Sequence, residues 1–166
     1  MGDETTVPDW DGLGGREVAP ALARAVLRLL AALGAHGIAE VPLRSGRRVD
    51  VMALDRNGAI TVVEIKSSIA DFRSDRKWPE YLDYCERFFF AVPAGFPVEI
   101  LPAEQGLIVA DRFEAAIVRE APLRVLNPAR RKNLTLRFAR TAAERLRQRD
   151  DPGPAFQGAT LSGVQR

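Results

Sequence analysis

Asp50, Glu64 and Lys66 are the residues whose types and spacing point most directly to chemistry. Two carboxylates held side by side offer hard oxygen ligands to a divalent cation and leave its other positions to water and a phosphate. Such a cation offsets charge on the phosphate and lowers the pKa of a bound water. A neighbouring lysine orients that water and stabilises the developing negative charge. The pattern predicts Mg²⁺- or Mn²⁺-assisted hydrolysis of a phosphodiester. The competing reading is a salt-bridged strand end, in which Lys66 or Arg48 neutralises the two acids.

Whether the acids meet depends on the elements that carry them. Arg48 to Asp55 and Ala59 to Lys66 read as strands, and Arg56-Asn57-Gly58 between them is a three-residue hairpin loop with Gly58 at the left-handed position. That loop sets Asp55 opposite Ala59, hence Asp50 opposite Glu64 on one face of the sheet, with Lys66 joining them two residues on. A two-residue loop would put the acids on opposite faces, so the site stands on the turn type. One face then reads Arg48, Asp50, Met52, Leu54, Ile60, Val62, Glu64 and Lys66; the other reads Val49, Val51, Ala53, Thr61, Val63 and Ile65. Both faces are apolar near the turn, as in a central strand pair covered on both sides. Unpaired carboxylates buried together are costly, and a cation relieves that cost.

The remaining elements frame this hairpin. Val18, Leu22, Val26, Leu29, Leu30 and Leu33 recur at helical spacing, and Gly34 stands where a C-terminal cap belongs. Ile38 to Leu43, Arg87 to Val92, Gly106 to Ala110 and Ala115 to Arg119 read as further strands. Trp78-Pro79 opens a helix running to about Glu86, and Pro128 to Arg149 is a second long helix. Residues 1–15 read as a flexible arm, 16–149 as one domain and 150–166 as a disordered tail. This order implies an α/β sandwich with a mixed central β-sheet flanked by helices.

Composition narrows the setting. At 166 residues the chain is sized for one domain with a genuine core. Cys85 is its only cysteine, which excludes a disulfide framework and a thiolate zinc cluster and favours a reducing, cytoplasmic location. The acidic N-terminus lacks a secretory pattern, and Val18 to Leu33 is too short and too charged to span a bilayer. Net charge is only +2, yet Arg124 to Arg149 holds nine Lys or Arg against Glu144 alone, a local +8 that leaves −6 for the rest. A basic block on an acidic chain suits a polyanionic partner such as DNA.

Longer stretches are recognisable. Gly46-Arg47-Arg48-Val49-Asp50 followed by Glu64-Ile65-Lys66-Ser67-Ser68 resembles the PD-(D/E)XK nuclease superfamily. Asp71-Phe72, Asp75-Arg76-Lys77-Trp78, Tyr81, Cys85, Phe90-Ala91-Val92-Pro93, Gly106-Leu107-Ile108-Val109-Ala110-Asp111 and Ala129-Arg130-Arg131-Lys132 add a resemblance to the MmcB family of bacterial DNA repair proteins, over residues 16 to 147. The resemblance implies a restriction-endonuclease-like fold, metal ligation by Asp50, Glu64 and the Ile65 carbonyl, and a water-assisting Lys66. Val49 replaces the superfamily's usual Pro. The acid that many members carry on the first helix has no counterpart, since Glu17 sits at the wrong end, and Glu40 on the first strand is the candidate in its place.

The other polar residues have simpler readings beside functional ones. Asp75 reads as a cap or turn residue, Trp78 as a core anchor, Cys85 as a small buried hydrophobe and His36 as solvated. Tyr81 and Tyr84 share a helix face, so they pack, or their hydroxyls reach a phosphate. Lys77 leaves the sheet at the catalytic edge, and Arg130, Arg131 and Lys132 open the last helix; these four are the candidate DNA contacts. The leading expectation is a Mg²⁺-dependent deoxyribonuclease serving repair. The alternatives are a non-catalytic DNA-binding or scaffold protein on the same fold, and a protein–protein module, including a homodimer, built on the aromatic residues.

Overall fold

The computed structural model describes residues 15–153. The expected N-terminal arm, Gly15 apart, and the expected tail beyond Gly153 lie outside the described residues. In chain order the elements are α1 (Gly15–Ala32), β1 (Ala35–Pro42), β2 (Arg48–Asp55), β3 (Ile60–Ile65), α2 (Ile69–Ser74), α3 (Trp78–Tyr81) with a 3-10 turn over Leu82–Tyr84, β4 (Arg87–Pro93), β5 (Gly106–Ala110), β6 (Ala115–Arg119) and α4 (Pro128–Asp150). Among the described residues no helix is long and apolar enough to cross a membrane.

The strands form one six-stranded sheet in sequence order, β1 to β6. β1–β2, β2–β3 and β5–β6 pair antiparallel, while β3–β4 and β4–β5 pair parallel. The hairpin has the three-residue loop read from Arg56-Asn57-Gly58. Asp55 N–H donates to the Ala59 carbonyl, Gly58 has a φ of 75°, and Val51 faces Val63. The Asp55 side chain also accepts from Asn57 and Ala59 N–H, closing the turn from within.

Two cores lie on the two faces of the sheet. Leu22, Ala25, Val26 and Leu30 of α1 pack on Val51, Ala53, Val63, Ile65, Phe89 and Ile108. The opposite face buries Met52, Ile60, Val62, Phe88 and Phe90 beneath Trp78, Tyr81 and Leu134. The Phe88 and Phe90 rings meet edge-on at 5.1 Å, and Trp78 lies 5.8 and 5.2 Å from them, so the anchoring role read for Trp78 holds. Each of the fully buried side chains among these, such as Phe88, Phe90 and Met52, contributes roughly 1.5–3 kcal/mol of transfer free energy.

Three local expectations need correction. Val49 packs with Met52 and Val62 rather than with Val51. The β1–β2 register skips Glu40, whose φ is 54°, between the Ala39–Val51 and Val41–Val49 pairs. Leu33, placed on the buried stripe of α1, lies beyond the helix end and is exposed. Ile69–Ser74 is a helix that the sequence pattern does not announce. Ser68 caps it by accepting from Asp71 N–H at 3.1 Å.

Candidate active site

The β2–β3 ladder stops at Val51 and Val63, one residue short of the two acids. There Asp50 takes over the work of the ladder, its Oδ2 accepting the Ile65 N–H at 2.8 Å. β3 meanwhile stays paired to β4, and Lys66 N–H donates to the Ala91 carbonyl at 2.9 Å. The strands therefore part at the end that carries the acids, and a cleft of about 580 Å³ opens there. α1 lines it with Ala23, Arg24 and Leu27, and Glu40, Asp71 and, from α4, Arg145 complete the lining.

Within the cleft Lys66 is almost wholly buried. Its Nζ donates to Glu64 Oε1 at 3.2 Å and to Asp75 Oδ2 at 2.6 Å. Burial alone would depress its pKa, but the two carboxylates outweigh that and the ammonium is held above its usual range. Asp75 is lowered: burial pushes it up, and its bonds from Lys66 and the Lys77 N–H more than compensate. Glu64 is pushed up to about 8, first by burial and then by the charge of Asp50, against the pull of Lys66. Asp50 also rises, chiefly through burial, with the Ile65 N–H working against it. Glu64 Oε2 is buried and has no hydrogen-bond partner. Two acids that resist ionisation, one with an unpartnered oxygen, form a donor set suited to a divalent cation.

The acids, Ile65 and the lysine singled out from sequence meet here, and the other candidates do not. Asp50, Glu64, Ile65 and Lys66 line one cleft together. Glu40 reaches its margin, but its exposed carboxylate pairs with Arg48 at 3.2 Å. Among the described residues no three acid, His or Cys side chains converge as a metal-binding group. Glu17 is exposed at the start of α1, and where an acid was sought on that helix the cleft meets Arg24. Tyr81 is buried and donates to the Arg48 carbonyl at 3.2 Å, and its hydroxyl is pushed up to about 12, mainly by burial. Cys85 is buried, as read, and His36 is exposed.

The four candidate DNA contacts divide. Lys77 and Lys132 are exposed. Arg131 pairs with the buried Glu86, whose other oxygen accepts the Ile60 N–H at 2.6 Å. Arg130 stacks on Tyr84 at 5.2 Å and donates to the Asp83 carbonyl. These two arginines fasten α4 to the core. Sequence reasoning missed Asp75 as the partner of Lys66, Glu86 as an anchor, and Arg24 and Arg145 as walls of the cleft. For Asp75 the signal was its nine-residue distance from Lys66 across a short helix; Arg145, eighty-one residues from Glu64, left no local signal.

A sequence model of the family described as DNA repair protein MmcB-like matches residues 7–153. Among solved structures, the SPO1766 protein of unknown function from Silicibacter pomeroyi is 48% identical, with a TM-score of 0.78, over 91% of this chain and 99% of that one. A repair endonuclease from Pyrococcus abyssi matches at 24% identity and a TM-score of 0.34, over 55% of this chain and 46% of that one. No curated protein matches the chain.

Proposed function

The chain belongs to the MmcB-like DNA repair protein family, and from that premise we propose that it hydrolyses DNA phosphodiester bonds with the help of Mg²⁺ or Mn²⁺. The observation that carries the reading is Glu64: a buried carboxylate with an unpartnered oxygen, beside a second buried acid, at the parted end of two strands. Asp50, Glu64 and the Ile65 carbonyl would hold the cation. When bound, it supplies charge neutralisation at the phosphate and a more acidic water.

The chain's own groups do the rest. Lys66, pinned between Glu64 and Asp75, holds an ammonium at a fixed place beside the acids, where it can orient water and meet developing negative charge. Asp75 is a positioning residue acting through Lys66. Arg24 and Arg145 lend positive charge to the walls and suit a phosphate entering the cleft. The fold in this reading is restriction-endonuclease-like.

The test is Mg²⁺- or Mn²⁺-dependent cleavage of single-stranded, duplex, branched and damaged DNA. Wild type should cut at least one form, and Glu64→Gln should cut none. Lys66→Ala should keep DNA binding while the rate falls about 10²-fold or more. Absence of cleavage across the panel would favour the second reading, a non-catalytic DNA-binding protein on the same fold. One observation favours that reading now: α1 presents Arg24, not an acid, to the cleft.

A further inference from the structure

A second cleft, of about 810 Å³, runs between α4 and the turn after β1. Arg44, Asn133, Arg137, Arg140, Arg145 and Gln148 give it a lining of donors. It is continuous with its neighbours. Arg145 lines both this cleft and the carboxylate cleft. At the other end Arg44, Asn133 and Arg137 also line a smaller cleft of about 240 Å³ that reaches Tyr84 and Arg130. A basic track thus follows α4 and ends at Asp50 and Glu64.

The charges on this track are not neutralised inside the molecule, although Arg137 donates to the Pro42 carbonyl at 3.4 Å. Among the described residues Arg44, Arg137 and Arg140 pair with no carboxylate. Glu144, the acid that shares the lining, is occupied by Arg147 and Gln148. A merely solvated helix face intersperses acids with its bases at three- or four-residue spacing, which α4 does only at its last turns. Arg145 is fixed: its guanidinium donates to the Ala39 and Glu40 carbonyls, and it ties the helix to β1 at the mouth of the acid site. From Arg137 to Arg145 the helix rises about 12 Å. That spans several nucleotide steps at ~3.4 Å per step along one strand.

We propose that this cleft is the track for the phosphodiester backbone of DNA and delivers a strand to the carboxylates. The inference rests on the DNA reading above and names how that substrate is held. Guanidinium and amide donors fit phosphate oxygens. Among the described residues that line the track Tyr84 is the one aromatic, and Arg130 lies over its ring, which disfavours it as a platform for stacked bases. Recognition is therefore of backbone and not of sequence. The track also moves the expected contact from Arg130 and Arg131, held by the Asp83 carbonyl and Glu86, to Arg44, Arg140 and Arg137, the last with only a long 3.4 Å bond to the Pro42 carbonyl.

The experiment is fluorescence anisotropy on the full chain with labelled duplex and single-stranded oligonucleotides of unrelated sequence, over a salt series. Wild-type affinity should fall linearly on a log–log plot. The variant Arg44→Ala/Arg137→Ala/Arg140→Ala should bind every sequence more weakly, with a slope shallower by up to about three units, near 0.9 per lost duplex contact. Replacing the same three by Lys should restore most of that slope. Arg140→Glu alone should weaken binding in the same direction. Arg56→Ala/Arg73→Ala/Arg112→Ala, equal in charge and away from the track, should stay near wild type. If wild type binds and the track variants match it, or lose no more than the control, the track is wrong and the DNA reading stands. If wild type shows no salt-dependent binding to any DNA, both fall together.

Discussion

Glu64 is harder to ionise in the fold than it would be in an unfolded chain. Its carboxyl goes from an ordinary value of 4.5 to about 8 in the folded state, through burial and the nearby Asp50 charge. Between those values the folded state binds more protons than the unfolded one, so stability falls as pH rises. In EDTA, thermal melts should therefore show the protein losing stability from about pH 5 to pH 8, and Glu64→Gln should flatten the decline. Mn²⁺ should restore more stability at pH 8 than at pH 5, because binding displaces the proton. Identical profiles for wild type and variant would mean that Glu64 does not titrate in this window. The acids and Lys66 were legible because one turn fixes their register. Asp75, Glu86 and Arg145 were not: each acts on a group that the chain reaches only by folding back, and no local periodicity marks such a meeting.

The elements were legible in proportion to their periodicity. β2, β5 and β6 begin and end where the residue pattern puts them, because alternation and flanking turns bound them tightly. α2 escaped notice because it is only six residues long: its apolar face is just Ile69 and Phe72, half-buried on the core, and Ser68 and Asp71 supply the cap. The Val49 reversal is a strand-scale event: it falls where the β1–β2 register is interrupted at Glu40. β5 depends on an absent side chain. A Cβ at Gly106 would come within 2.4 Å of the Phe89 ring and 2.7 Å of Ala121, both buried. Gly106→Ala should cost about 1–3 kcal/mol by overpacking, read as a lowered urea midpoint with unchanged m-value. A variant as stable as wild type would show that Phe89 has room to turn aside.

At the scale of the whole molecule the two helical layers are held by different forces. α1 is embedded, with Ala21, Leu22, Ala25, Val26 and Leu30 buried against the sheet. α4, at 23 residues, buries Leu134 alone and leans on Phe138. Its attachment is otherwise polar, through Arg131 to Glu86 at one end and Arg145 to the β1 carbonyls at the other. The excess positive charge of this helix was visible in composition; its loose seating was not, since hydrophobic count along the chain does not reveal which residues find a surface. This difference in seating predicts two cooperative units of unequal stability. Native-state hydrogen exchange in low denaturant should show α4 amides exchanging through a partial opening well below the free energy that protects β3 and β4. A single exchange free energy for helix and sheet would contradict this. A polyanion that bridges α4 and the β1–β2 turn would close that gap, so protection of the helix alone would register occupancy before any bond is cut.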